Sequence, residues 1–374
     1  MRTVLIITLT LLCSVLVQGQ SGGGNLEIQY NAQNTAKYIQ VSHNPANIKQ
    51  LEYQREAWQK VVQAEPSSAV YWFNYYMAAR LYYLQTNGGR VDSTGKRELT
   101  AIAVGMDTSV RAEANLFEQL MIKYFEAPTY KQATIYLEKA IEKAPYNSFL
   151  QTELPKYYYL INEADKRNTA LSNVREVSGT TALYGFCRAM VHSLPDSSII
   201  ITNGDYDTYA TWLGSMTTRK KLAVISIKWL EDEGMRERML NDAGLKLSGY
   251  KKEDVAEQLI KQNPGKKIMF SLTVNPGYLN GINKSLYNTG FCYQYSAKPF
   301  DNIEVLYNNL VTFRTEIYKP IGSSEVLKNC MPGFITLFRY YKDTDKERAE
   351  ETAREARKIA EKGGFWNEYS SYFK

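Results

Sequence analysis

Residues 197–215 read SSIIITNGDYDTYATWLGS, and the hydrophobic pattern of the chain changes here. The run Ser198–Thr202 is short, apolar and β-branched, which is typical of a buried strand. A helical pattern begins by Thr208, so only a tight loop fits between the two elements. Two later runs, 222–228 and 266–274, have the same strand character and are separated by helical patterns. This alternation of strand and helix predicts a small parallel sheet with crossover helices.

Helical patterns flank this α/β module on both sides. In the preceding region, a helix with small residues ends at a proline, Pro66 or Pro145, and an aromatic-rich helix follows each time. Such pairs are typical of tetratricopeptide hairpins, but the prolines are 79 residues apart, which is no multiple of the repeat length of about 34. An irregular tetratricopeptide-like domain is therefore predicted, with a loop at Asp92–Glu98, a kink at Pro155 and a helix interrupted at Pro332.

The predicted fold class is therefore α+β, an α/β module within a mainly helical chain. The predicted order is a signal peptide, a flexible leader, tetratricopeptide-like helices, the α/β module and C-terminal helices, at 1–19, 20–45, 46–178, 179–300 and 301–374.

The N-terminus has the pattern of an export signal. Arg2 precedes an apolar run of about 14 residues, and Val17-Gln18-Gly19 offers small residues for cleavage before Gln20. The run is short for a membrane span, and no later segment is apolar enough to cross a bilayer. A soluble periplasmic protein is therefore expected.

Composition argues against several function classes. The net charge is +6 without a concentrated basic tract, which disfavours a nucleic-acid partner. Only His43 and His192 are available for a histidine-dependent catalytic centre, and no Cys/His spacing indicates a metal site. We predict no cofactor, no metal and no catalytic residue.

Three cysteines remain after removal of the signal peptide. Cys292 lies in an irregular β-like stretch and Cys330 beside a helix break, so we predict that these two form a disulfide in an oxidising compartment. Cys187 lies in an apolar helical run and is predicted to be a free thiol.

A candidate binding site follows from the parallel sheet. Loops that leave the carboxyl ends of neighbouring parallel strands meet at one edge, where open α/β sheets bind ligands. The residues predicted to line this mouth are Asn203, Asp205, Asp207, Thr208, Trp212, Asn275 and Tyr278. A polyol, a sugar or a polar peptide would suit these groups.

The same loop has simpler explanations. Asn203-Gly204 is a turn dipeptide, and Asp205 or Asp207 could cap the next helix. One cap accounts for only one aspartate, so both readings stay open. Asp205-Tyr206-Asp207 also fits the D-x-D motif of nucleotide-sugar transferases, although three residues recur often by chance. Neighbours on one tight loop are poorly placed as the acid and base of a glycosidase.

The stretch IIITNGDYDTYATWLGS, followed by LAVISIKWL, resembles the soluble C-terminal region of the protein O-mannosyltransferase-like membrane proteins of Bacteroidota. That family has a strand, a G-D-x-D-T-[FY] loop and a Trp-containing helix, and the matching residues here are Gly204, Asp205, Asp207, Thr208, Tyr209 and Trp212. The similarity covers residues 180–290. No segment corresponds to the family's transmembrane part, so the resemblance implies an exported domain and does not imply a transferase.

Together these features predict a non-enzymatic periplasmic scaffold or partner-binding protein of a bacterial envelope assembly, such as a secretion or surface-export complex. Protein partners in the cell envelope are expected, with a glycan or peptide as a further ligand. The alternative is a glycan-binding or carbohydrate-active protein that uses the Asp205/Asp207 loop.

Overall fold

The structure is a computed structural model that describes residues 26–32, 35–41, 48–110, 116–177, 181–312 and 325–374. The expected signal peptide and its cleavage point lie outside the described residues. The chain divides into two compact units, 1–170 and 171–374.

The first unit begins with an antiparallel pair of strands, β1 (Leu26–Ala32) and β2 (Thr35–Val41). The region expected as a flexible leader therefore contains regular structure. Its polar composition suggested a leader, whereas the alternation of LEIQY and KYIQV has the period of a strand.

Helices form the rest of this unit. Their bounds are α1 Ile48–Ala64, α2 Ala69–Thr86, α3 Ser93–Ser109, α4 Phe117–Glu126, α5 Tyr130–Lys143, α6 Ser148–Leu160 and α7 Ala164–Val177. Helices α2 and α4 contact each other, and each also contacts its neighbours in sequence. We call α1, α3 and α5 the outer helices. Helix α4 is buried on every side from Phe117 to Ile122.

Two of the hairpins have equivalent contacts at equivalent positions. Trp72 and Gln151 each follow their proline by six residues, and the side-chain N–H of each donates to that proline's carbonyl, at 2.8 and 2.7 Å. Trp58 and Leu137, eight residues before each proline, are both buried in the core. The degenerate repeat seen in the sequence thus corresponds to repeated local structure.

One local expectation needs correction, and the kink at Pro155 stays a prediction. Residues 92–98 are not a loop, because Asp92 is the N-cap of α3 and its carboxylate accepts the Gly95 N–H at 2.7 Å. Pro155 lies inside α6, and the helix continues through it to Leu160.

The second unit contains a mixed five-stranded sheet in the order β4-β3-β5-β7-β6. The strands are β3 Ile199–Thr202, β4 Ala223–Ser226, β5 Ile268–Ser271, β6 Leu286–Asn288 and β7 Cys292–Tyr295. Strand β3 pairs in parallel with β4 and with β5, whereas β7 is antiparallel to both β5 and β6. The three strands predicted to form a parallel sheet therefore do pair in parallel, and two antiparallel strands extend the sheet beyond β5.

A short connection accounts for the antiparallel part. Only three residues separate β6 from β7, which allows a hairpin and no crossover. Gly290 in this turn has a φ of +107°, a conformation that L-residues rarely adopt.

Helices surround the sheet. They are α8 Thr181–Ser193, α9 Asp205–Thr218, α10 Glu233–Ala243 and α11 Val255–Gln262. Strands β3 and β5 bury every residue, as parallel strands covered on both faces must.

The C-terminal part is helical, as predicted. It contains α12 Ile303–Tyr307, α13 Glu325–Lys328, α14 Met331–Tyr341, α15 Lys346–Lys362 and α16 Trp366–Tyr369. Pro332 lies in the first turn of α14, where its missing N–H costs no helical hydrogen bond. In the described parts of the chain, no helix has the length and apolarity needed to cross a membrane.

Candidate functional site

The loop after β3 is as tight as the sequence predicted. Strand β3 ends at Thr202, Gly204 is the N-cap of α9, and the helix begins at Asp205. Both aspartates therefore lie in the first helical turn, where a carboxylate is favoured by the helix dipole.

Asp207 is buried and holds the loop together. Its carboxylate accepts the backbone N–H groups of Asn203 at 2.6 Å and Gly204 at 2.8 Å. It also accepts the Thr273 hydroxyl at 2.6 Å, which joins the loop after β5 to the loop after β3. Burial raises the pKa of Asp207, and the hydrogen bonds from Thr273, Asn203 and Gly204 oppose that rise. This aspartate has a structural role and presents no lone pair to a ligand.

Thr208 is also occupied internally. Its hydroxyl lies 2.6 Å from that of Thr202 and donates to the Gly204 carbonyl. The side chain is fully buried, so Thr208 fixes the start of α9 against the end of β3 and does not line a mouth.

Asp205 is half-buried and contacts a different loop. Its Oδ1 accepts the indole N–H of Trp229, from the 3₁₀ turn Lys228–Glu231 that follows β4. The two aspartates therefore have separate roles, because Asp207 ties the loop to backbone groups and Asp205 faces the turn after β4.

The aromatic side chains near the loop form a packed cluster. Trp212 and Tyr209 of α9 lie with Trp229 at ring-centroid distances of 5.7 to 5.9 Å. All three are buried. Trp212 was predicted to line the ligand site, but it lies about two turns into α9 and packs against Trp229, so it serves as core.

Asn203 and Asn275 bring the first and third loops together. Asn203 Oδ1 accepts the backbone N–H of Asn275 at 3.0 Å. Asn275 Oδ1 in turn accepts the Gly277 N–H at 2.8 Å and caps the 3₁₀ turn Pro276–Leu279. The structure thus places both asparagines at the carboxyl edge of the sheet, as the sequence predicted.

Tyr278 connects the loop after β5 to the loop after β4. Its hydroxyl donates to Glu231 Oε1 at 3.2 Å, and the Tyr250 hydroxyl donates to the same oxygen at 3.2 Å. The Tyr278 ring is buried, and burial together with the nearby Glu231 charge raises the pKa of Tyr278 to about 12. Lys252 Nζ lies 5.4 Å from the ring centroid.

Three loops therefore meet at one edge, and each touches the other two. Sequence reasoning missed Trp229, Glu231 and Thr273, which make three of these connections. Trp229 and Glu231 directly follow the predicted strand at 222–228, but nothing in the sequence showed which side chains of that loop turn inward.

The predicted disulfide is not formed in this structure. Cys187, Cys292 and Cys330 are all buried free thiols. The Cys292 sulfur lies 3.2 Å from the Thr289 hydroxyl, and burial raises its pKa to about 11. Cys330 precedes α14 and is fully buried, which raises its pKa to about 12. Both side chains pack as small apolar groups in the core.

The described part of the chain contains no group of three or more His, Cys, Asp or Glu side chains placed to hold a metal ion. Within the D-x-D triplet, Asp207 has its oxygens occupied by four N–H and O–H donors. The loop therefore does not offer the paired carboxylates that a D-x-D metal site needs.

No protein-family model matches the chain, and no curated protein matches it at a significant level. The resemblance to the O-mannosyltransferase-like proteins stays a prediction from the sequence.

Proposed function

We propose that this chain is an exported, non-enzymatic periplasmic protein that binds protein partners of a bacterial envelope assembly, such as a secretion or surface-export complex. The outer helices α1, α3 and α5 form the proposed binding surface. The export signal and the resemblance to Bacteroidota proteins support the compartment.

The distribution of exposed apolar side chains carries the proposal. Over the described helices from α1 to α6, the large apolar residues that stay exposed are Ile48, Tyr53, Val104 and Ile135. All of them lie on the outer helices, with Tyr53 60% and Val104 57% exposed, and none lies on α2, α4 or α6. Exposed apolar groups shared by alternate helices of a hairpin array favour a protein-binding surface.

A carbohydrate-active enzyme is less well supported. Hydrolysis of a glycosidic bond uses two carboxyl groups on opposite sides of a cleft. In the loop after β3, Asp207 is buried in hydrogen bonds to the backbone and to Thr273, so the Asp205/Asp207 pair cannot supply these two groups.

Variants of the exposed side chains test the proposed surface. Wild-type protein and a Tyr53→Ser/Val104→Ser variant would be crosslinked in the periplasm of the native host, and the captured envelope proteins quantified by mass spectrometry. A captured protein would then be purified and titrated against both forms. We expect the double variant to bind at least about tenfold more weakly, as loss of exposed interface anchors does.

Met216→Ser provides the matched control, because Met216 is 46% exposed but lies on α9 in the other unit. Its binding should equal that of wild type. The proposal is wrong if the purified partner binds the double variant as tightly as wild type, or if wild type enriches no envelope protein over a mock capture.

A further inference from the structure

The carboxyl edge of the sheet keeps a set of polar atoms that the fold does not use. Four residues at this edge each use one side-chain oxygen to accept a hydrogen bond between or within the loops. They are Asn203, Asp205, Glu231 and Asn275. Across the described residues, their second polar atoms have no intramolecular partner. We call these four residues the rim. It therefore offers two amide N–H₂ donors and two carboxylate acceptors.

The rim lies where sheet topology predicts a crevice. From β3 the chain passes to β4 on one side, and from β4 it crosses back to β5 on the other side of β3. Right-handed crossovers place the two connections on opposite faces of the sheet. The carboxyl ends of β3 and β5, which carry Asn203 and Asn275, therefore flank a topological switch point, the usual binding position in open α/β sheets.

A buried polar atom at the same edge supports this position. Ser226 is the last residue of β4 and pairs in register with Thr202 of β3. Its side chain is fully buried, and among the described residues its hydroxyl has no hydrogen-bond partner. A buried hydroxyl is nearly always paired in a folded protein, so this one leaves an unused polar group at the carboxyl end of the sheet.

We propose that the rim binds a neutral carbohydrate through adjacent hydroxyl groups. A hydroxyl both donates and accepts, so a pair of vicinal hydroxyls can donate to Asp205 and Glu231 while accepting from Asn203 and Asn275. Tyr206, which follows Asp205 in the sequence, is partly exposed, and an aromatic ring suits the apolar C–H groups of a sugar. This proposal does not depend on the outer-helix surface, which belongs to the other unit.

The rim fits a sugar better than it fits a peptide or a metal ion. A peptide site needs apolar pockets for side chains, but Trp212, Trp229 and Tyr278 beneath the rim are buried. A cation would need oxygen ligands, whereas both asparagine oxygens are already hydrogen-bonded and only their nitrogens remain. A polyol therefore suits a site that offers both hydrogen-bond donors and acceptors and has no apolar pockets.

Isosteric substitutions can exchange donors and acceptors of hydrogen bonds at the rim while keeping the fold. Asn275→Asp retains the oxygen that caps Gly277 and turns the donor into an acceptor. Asp205→Asn retains the oxygen that accepts Trp229 and turns the free acceptor into a donor. Asn283→Asp is the matched control, because Asn283 is exposed and follows the same loop outside the rim. Circular dichroism would confirm that all variants stay folded.

The probes are the methyl glycosides of glucose, galactose, mannose and N-acetylglucosamine, titrated by calorimetry and by tryptophan fluorescence. Trp229 donates to Asp205, so its emission should report occupancy of the rim. We expect saturable binding of at least one glycoside, weakened at least about tenfold by Asn275→Asp and by Asp205→Asn and unchanged by Asn283→Asp.

Two results would overturn the proposal: no glycoside binds the wild-type protein, or binding survives both rim substitutions unchanged. If the rim variants still bind the envelope partner, a failure to bind glycosides would contradict the rim proposal and leave the proposed function unaffected.

Discussion

The acidic side chains of the helical hairpins and Asp207 in the α/β module bind different kinds of group. In the hairpins, side chains pair with side chains across helices, as when Tyr124 of α4 donates to Glu153 of α6 at 2.7 Å. In the module, the polar side chains of the loop after β3 bind mostly backbone groups, as Asp207 does. A helix satisfies its own backbone except at its ends, whereas a tight loop leaves N–H groups exposed that a side chain must bind. A conspicuous polar motif in a tight loop is therefore more often part of the turn than a comparable motif on a helix face.

Asp207→Ala should give the largest loss of stability. It leaves the N–H groups of Asn203 and Gly204 and the Thr273 hydroxyl without their acceptor. Each buried donor without a hydrogen-bond partner costs about 1–3 kcal/mol of stability. Because water can reach part of the loop, we expect the free energy of unfolding to fall by about 2–4 kcal/mol, measured by urea denaturation.

Asp205→Asn is the control for that measurement. It keeps the acceptor for Trp229, so the urea midpoint should stay close to that of wild type. Equal losses for the two variants would contradict the division of roles between the two aspartates.

Tyrosine-to-phenylalanine variants should give smaller losses that depend on the burial of the acceptor. Tyr124→Phe removes a donor from the buried Glu153 and should cost about 1–2 kcal/mol. Tyr76→Phe removes a donor from Glu126, which is exposed and can bind water instead, so we expect about 0.5–1 kcal/mol. Thermal or urea unfolding would measure both, and the reverse order would show that acceptor burial does not set the cost.

The tyrosine–carboxylate contacts predict a loss of stability in alkali. Burial first, and the Glu231 charge second, raise the pKa of Tyr278 from the ordinary 10.0 to about 12. A group whose folded pKa is raised stabilises the fold fully below the unfolded pKa, and that contribution is lost as pH rises from about 10 through about 12. Tyr278→Phe should therefore make unfolding less dependent on pH in this window. Phenolate absorbance should show one late-titrating tyrosine fewer, and an unchanged titration would contradict the assignment.

Most elements could be predicted where a local signal defines them. Helices α1 and α5 end two residues before Pro66 and Pro145, as proline requires. The three parallel strands lie inside the predicted apolar runs. Each strand is shorter than its run, because β-branched composition does not show where a strand begins or ends. The order β4-β3-β5-β7-β6 was beyond reach, because strand order depends on contacts between residues far apart in sequence.

The candidate site was predictable in position but not in detail. The strand-loop-helix pattern placed Asn203 and Asn275 at one edge, and the structure joins them by a hydrogen bond. The sequence did not show which aspartate is buried. In the first turn of α9, the Asp207 side chain faces the backbone of the preceding loop, whereas the Asp205 side chain faces the turn after β4. Trp229 and Thr273 decide that, and neither belongs to the motif.

The smallest expected effect concerns the thiols, because neither unit gains stability from a covalent link in this structure. All three described cysteines are buried free thiols, and burial raises the pKa of each, so a thiol reagent should not react with the folded protein. Addition of dithiothreitol should leave the urea midpoint unchanged, whereas loss of a disulfide from a secreted domain typically costs about 2–5 kcal/mol. Titration of the unfolded chain from Gln20 onward, which leaves out Cys13, should find three reactive thiols. One reactive thiol, together with a midpoint that falls on reduction, would show that a disulfide forms, for which Cys292 and Cys330 are the predicted pair. A covalent link would then supplement the hydrogen bonds that join the loops of the α/β module.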